Sequence, residues 1–66
     1  MKFELNGVPE QVEMVLSVQE LLVRFDLLGR RVAVAINTQV VPRSRFAEVQ
    51  IADGDRVEVI HAVGGG

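Results

Sequence analysis

Val32-Ala33-Val34-Ala35-Ile36 is the stretch on which the fold turns. Its β-branched residues alternate with alanines, the period-two pattern of a strand, so Val32, Val34 and Ile36 share one face while the other face stays small. The expectation is a central strand whose larger side chains meet a helix.

Upstream, Ser17-Val18-Gln19-Glu20 matches a capping box, in which the serine accepts from the amide three residues on and the glutamate reaches back. A helix is therefore expected from about Val18. Val18, Leu21, Leu22 and Phe25 fall at i, i+3, i+4 and i+7 on one face, and Gly29 is the expected stop, about three turns on. Earlier still, Lys2-Phe3-Glu4-Leu5-Asn6 alternates, and Asn6-Gly7 is the pair that a type I′ hairpin turn accepts. The return strand is read over Glu10 to Met14, with Val12 and Met14 joining Phe3 and Leu5 on the buried face. Pro9 suits the turn or an edge.

Downstream, Asn37-Thr38-Gln39 reads as a turn into a short Val40-Val41 strand ended by Pro42. Ser44 is expected to cap a single turn through Arg45 to Glu48, with Phe46 plugging the core. Asp53-Gly54-Asp55 is a further turn, and Arg56 to Val63 is a last strand running into Gly64-Gly65-Gly66. The order strand, strand, helix, strand, short strand, turn, strand predicts an α+β sheet with its main helix on one face, which fits a β-grasp.

Size and composition narrow the function. At 66 residues the chain is one domain, burying only roughly 60% of the surface its unfolded form exposes. With no Cys and a single His, neither a disulfide framework nor a Cys/His zinc site supports it. The core must come from the 48% of residues that are apolar. A net charge of -2, with no Trp or Tyr and three Phe, gives neither the cationic surface nor the stacking platform for nucleic acid. No apolar run approaches the ~20 residues of a membrane span, and Met1-Lys2-Phe3-Glu4 lacks a signal peptide's apolar stretch, so no membrane association and a cytoplasmic location are expected.

Leu5-Asn6-Gly7, Val18-Gln19-Glu20-Leu21-Leu22, Val34-Ala35-Ile36-Asn37, Val41-Pro42-Arg43, Asp53-Gly54-Asp55 and the terminal Gly65-Gly66, in this order and length, resemble the ubiquitin-like sulfur carrier proteins, most closely the thiamine-pathway carriers of the ThiS family. The resemblance covers essentially the whole chain. It departs at Val15-Leu16, where many relatives have a Gly or polar turn before the helix. It implies a ubiquitin-like β-grasp, a mixed sheet of four to five strands packed on one main helix, over residues 1–63, with residues 64–66 a flexible glycine tail. It also implies a carrier rather than an enzyme, with no catalytic residue, no metal and no bound cofactor. ATP and a persulfide sulfur source would act through a separate activating enzyme. The implied partners are an E1-like adenylyltransferase of the ThiF type, a thiazole synthase of the ThiG type and a sulfur-donating desulfurase system. The related carrier that serves as the small subunit of molybdopterin synthase, and a ubiquitin-like interaction module that is never activated, are the alternatives.

The tail chemistry has a physical logic. A C-terminal α-carboxyl, ordinarily with a pKa of about 3.5, is ionised near neutrality and too electron-rich to accept a nucleophile until one oxygen becomes a leaving group. The resemblance implies that Gly66 is adenylated and then converted to a thiocarboxylate. Gly64 and Gly65, lacking Cβ, would let the backbone enter a partner's active site closely. Three extended residues reach about 10 Å, enough to insert a carboxyl end while the body stays outside. The plain alternative for three terminal glycines is a frayed end or an expression scar.

Other residues carry weaker signals. His61 reads as a strand-end polar residue, since one imidazole makes no metal site. Asp53 and Asp55 flank a turn glycine and lack the further oxygens of a calcium loop. Arg24, Arg30, Arg31, Arg43 and Arg45 could meet an acidic surface on an activating enzyme, or simply be solvated. If Val57 and Val59 face the helix, Glu58, Ile60 and Ala62 turn outward beside Ala33 and Ala35, a candidate face for docking partners. The competing reading covers Ile60 with a loop or neighbouring strand.

Overall fold

The computed structural model describes residues 1–28 and 31–61. The hairpin comes first because Asn6 and Gly7 both adopt positive φ, 52° and 82°, the requirement of a two-residue primed turn. That turn fixes the register. Leu5 stands opposite Val8 and Lys2 opposite Gln11, so β1 is Lys2–Leu5 and β2 is Val8–Gln11. The return strand thus starts two residues earlier than the alternation over Glu10 to Met14 suggests. Val12 is buried, but Met14 lies beyond the strand and is 59% exposed, a correction to its expected place in the core. Pro9, with no N–H to offer, sits in an edge strand as expected.

Helix α1, Val18–Arg24, begins with the predicted capping box. The Glu20 N–H donates to Ser17 Oγ at 3.0 Å and the Ser17 N–H to Glu20 Oε1 at 2.8 Å. The two remaining free amides of the first turn also find acceptors: Val18 N–H donates to Val49 O at 2.9 Å and Gln19 N–H to Phe46 O at 3.0 Å. Leu16 and Leu21, at the positions of a hydrophobic staple, are both in the core, so the unusual Val15-Leu16 approach delivers one buried and one exposed residue.

The helix is seven residues long, about two turns, and ends before Gly29, which lies outside the described residues. The stop is Asp26 at φ 59°. The Leu27 N–H donates to Leu22 O at 2.6 Å and the Asp26 N–H to Val23 O at 3.1 Å, the paired bonds of a Schellman motif. An aspartate takes the left-handed position usually given to glycine, which its short polar side chain tolerates.

Strands β3 (Val32–Ile36) and β4 (Gln39–Val41) form a second hairpin on Asn37 and Thr38, at φ 50° and 71°, so the turn is two residues and Gln39 belongs to the strand. A 3₁₀ turn follows at Arg43–Arg45, with Pro42 at its start and no side-chain cap. Ser44 therefore lies inside the turn rather than capping one, because Pro42 already supplies the extended residue from which the turn starts. Phe46 is buried as expected.

Strand β5, Arg56–His61, completes a five-stranded mixed sheet in the order β2-β1-β5-β3-β4. The central strand is β5, not Val32–Ile36. β5 pairs parallel with β1 through Glu4↔Arg56 and Leu5↔Val57, and antiparallel with β3 through five pairs from Val32↔His61 to Ile36↔Val57. Phe3, Leu5, Val34, Val41, Val57 and Val59 from the sheet meet Val18, Leu21 and Leu22 of α1, with Leu16, Phe46 and Ile51 closing the ends. Phe3 and Phe25 pack edge to face, ring centroids 6.5 Å apart.

Candidate functional site

The candidate site that the structure describes is the outer face of β5. Alternation along β5 buries Val57 and Val59 against the helix side and turns Glu58 and Ile60 outward. Register then selects their neighbours. Ile60 lies across from Ala33, and Glu58 across from Ala35, which lies across from Val40. Two alanines cannot shield what they flank, so Ile60 is 59% and Val40 74% exposed on this face, and among the described residues no loop or strand covers Ile60. Arg56 and Glu4, 4.0 Å apart on the same side, form an exposed pair worth little in stability.

Glu58 and Ile60 are thus brought together as the sequence suggests. Ala62, Gly64, Gly65 and Gly66 lie outside the described residues. Val40 is an addition to the face. A two-residue turn at Asn37-Thr38 places it opposite Ala35, a register hidden when Gln39 is counted in the turn.

Both ends of β5 are held by asparagines at positive φ. At its start, Asn37 Oδ1 accepts from the Arg56 N–H at 3.0 Å, and Asn37 Nδ2 donates to Asp55 Oδ1 at 2.9 Å. Toward its end, Asn6 Oδ1 accepts from the Val59 N–H at 2.8 Å and Asn6 Nδ2 donates to Val59 O at 3.3 Å. The sequence marks both residues as turn formers, but a bond across 53 positions has no local signal.

The remaining candidates serve the fold. Asp53 Oδ1 accepts from the Lys2 N–H at 2.7 Å and Asp55 Oδ2 from the Ala52 N–H at 2.7 Å, so these carboxylates are engaged by backbone amides. His61 is exposed at the end of β5, opposite Val32. Arg24, Arg31, Arg43 and Arg45 are exposed, Arg45 pairing with Glu48 at 3.4 Å; Arg30 is outside the described residues. Among the described residues no three His, Cys, Asp or Glu side chains gather as a metal site, and no helix is long and apolar enough to cross a membrane.

Known proteins share this fold. The ThiS family model matches residues 3–66. The sulfur carrier protein ThiS of Bacillus subtilis is 36% identical over 50 residues, covering 76% of each chain. A thiazole synthase of Paramagnetospirillum magneticum is 36% identical over all 66 residues, and the chain spans only 20% of that protein's length. In three dimensions, the crystal structure of the thiamine biosynthesis protein ThiS from Geobacter metallireducens superposes with a TM-score of 0.87 at 35% identity, each chain covered completely. With the family pattern matched from the first strand to the last glycine, and the fold shared over its full length, the chain belongs to the ThiS family.

Proposed function

We propose that this chain is the sulfur carrier for the thiazole moiety of thiamine, bearing sulfur as a thiocarboxylate on Gly66. The observation that carries the reading is that the family match runs to residue 66, so the glycine end belongs to what the family shares. The likeness to a thiazole synthase favours the thiamine pathway over molybdopterin synthesis. The protein acts as a co-substrate, not a catalyst, and its place of work is the cytoplasm.

The chemistry proceeds in balanced steps. The Gly66 carboxylate attacks the α-phosphorus of ATP on an E1-like adenylyltransferase, expelling pyrophosphate and leaving an acyl-adenylate. The terminal sulfur of a persulfide from a desulfurase system attacks the acyl carbon and expels AMP. A thiol then cleaves the resulting acyl disulfide, is itself oxidised to a disulfide, and leaves the thiocarboxylate for thiazole synthase. Gly64 and Gly65 let the carboxyl end enter each partner's active site, since no Cβ obstructs the approach. The outer face of Glu58 and Ile60, widened by Ala33, Ala35 and Val40, docks the activating enzyme.

Incubation with ATP, sulfide and the activating enzyme, followed by intact-mass measurement, tests this. The full chain exchanges one oxygen for sulfur and a chain lacking Gly66 does not; a thiocarboxylate formed without Gly66 overturns the assignment.

A further inference from the structure

The side chain of Asn6 does for Val59 what a paired strand does for the residues before it. Along the β1 edge of β5 the main chains are joined by Glu4 N–H donating to Asp55 O at 2.9 Å and Asn6 N–H donating to Val57 O at 2.9 Å. The chain then swings away at Asn6, where φ is 52°, and the next outward groups on that edge are the N–H and C=O of Val59. Asn6 takes both, accepting through Oδ1 at 2.8 Å and donating through Nδ2 at 3.3 Å. A primary amide carries the same donor and acceptor as a peptide unit, and asparagine accepts the left-handed backbone that the turn demands. Few other residues meet both requirements.

We propose that Asn6 is a positioning residue for the tail chemistry: by continuing the β1 ladder as a side chain, it holds the last part of β5 and so fixes the base from which the carboxyl end is presented. The inference rests on the reading of Gly66 as the sulfur-bearing group. On its other edge β5 is held by β3 as far as His61, so Asn6 makes the anchoring two-sided where β1 has already ended. A strand held on one edge only has freedom that must be given up each time the tail is seated, which slows the step made at the carboxyl. Because Asn6 bonds only the main chain of Val59, while Glu58 and Ile60 stay paired with Ala35 and Ala33 of β3, the docking face keeps its register without it. The effect therefore falls on turnover and not on capture.

The test compares wild type with Asn6→Gly, which keeps the turn and removes the amide, and Asn6→Asp, which keeps an acceptor for the Val59 N–H but offers no donor to its C=O. Initial rates of thiocarboxylate formation with ATP, sulfide and the activating enzyme are measured against carrier concentration, alongside amide hydrogen exchange at Val59. Asn6→Gly is expected to exchange its Val59 amide at least about tenfold faster and to lose about tenfold in kcat with KM unchanged. Asn6→Asp is expected to retain Val59 protection while recovering only part of kcat, and it decides alone should Asn6→Gly unfold. Wild-type kcat in either variant, a loss confined to KM, or unchanged exchange in Asn6→Gly overturns the proposal. So does unfolding of both variants, which makes Asn6 a folding residue only. Failure of the wild-type chain to gain sulfur defeats the carrier reading instead, while Val59 exchange still reports the tie.

Discussion

Thr38 is the residue most at odds with its backbone. Its φ of 71° lies in the left-handed region, where a β-branched side chain is strained, while the matching position of the first hairpin holds Gly7 at 82°. Such strain costs on the order of 1–3 kcal/mol, set against the roughly 0.5–1 kcal/mol of extra chain entropy that a glycine brings to the unfolded state. Thr38→Gly is expected to stabilise the fold by about 1 kcal/mol, raising Tm by roughly 4–8 °C in calorimetry; a lower Tm contradicts the account. The two hairpins differ in legibility for the same reason. Asn6-Gly7 announces its turn because glycine is the ordinary occupant of positive φ, whereas Asn37-Thr38 hides its turn behind a residue seldom found there, and the strand that follows is read one residue late.

Helix α1 shows how strongly local signals fix one end of an element and how weakly the other. Its start is written in four consecutive residues, and the reciprocal bonds between Ser17 and Glu20 form as that pattern requires. Ser17→Ala removes the acceptor for the Glu20 amide and is expected to cost about 1 kcal/mol, seen as a lower urea midpoint with an unchanged slope. A wild-type midpoint would mean that water or a neighbour replaces the cap at no cost. The helix end is set instead by Asp26 in a left-handed conformation, with Leu27 beside it half-buried against the core. Nothing in an aspartate states that it will occupy the position usually filled by glycine, so Gly29 drew the boundary too far. Strand β2 is the parallel case. Its alternation extends to Met14, but the two-residue turn forces Leu5 opposite Val8 and the ladder is used up at Gln11.

At the scale of the molecule, the helix covers one face of the sheet and leaves Ile60 and Val40 on the other, flanked by alanines too small to hide them. Ile60→Asp is expected to leave stability within about 0.5 kcal/mol, since the site is exposed, and to weaken binding to the activating enzyme by about 2 kcal/mol, roughly thirtyfold, if that face carries a central contact. Unchanged affinity in a titration would remove this face as the docking surface. The sequence by itself determined the order of the elements, the capped helix start and the alternation that buries Val57 and Val59, because these depend on backbone sterics and periodicities spanning a few residues. Only the tertiary structure decided that β5 is the central strand, that Val40 joins Ile60 on the outer face, and that Asn6 grips Val59. Each of these depends on pairing between segments far apart in the chain, and such pairing is selected by the common core they must enclose rather than by any one segment's own pattern.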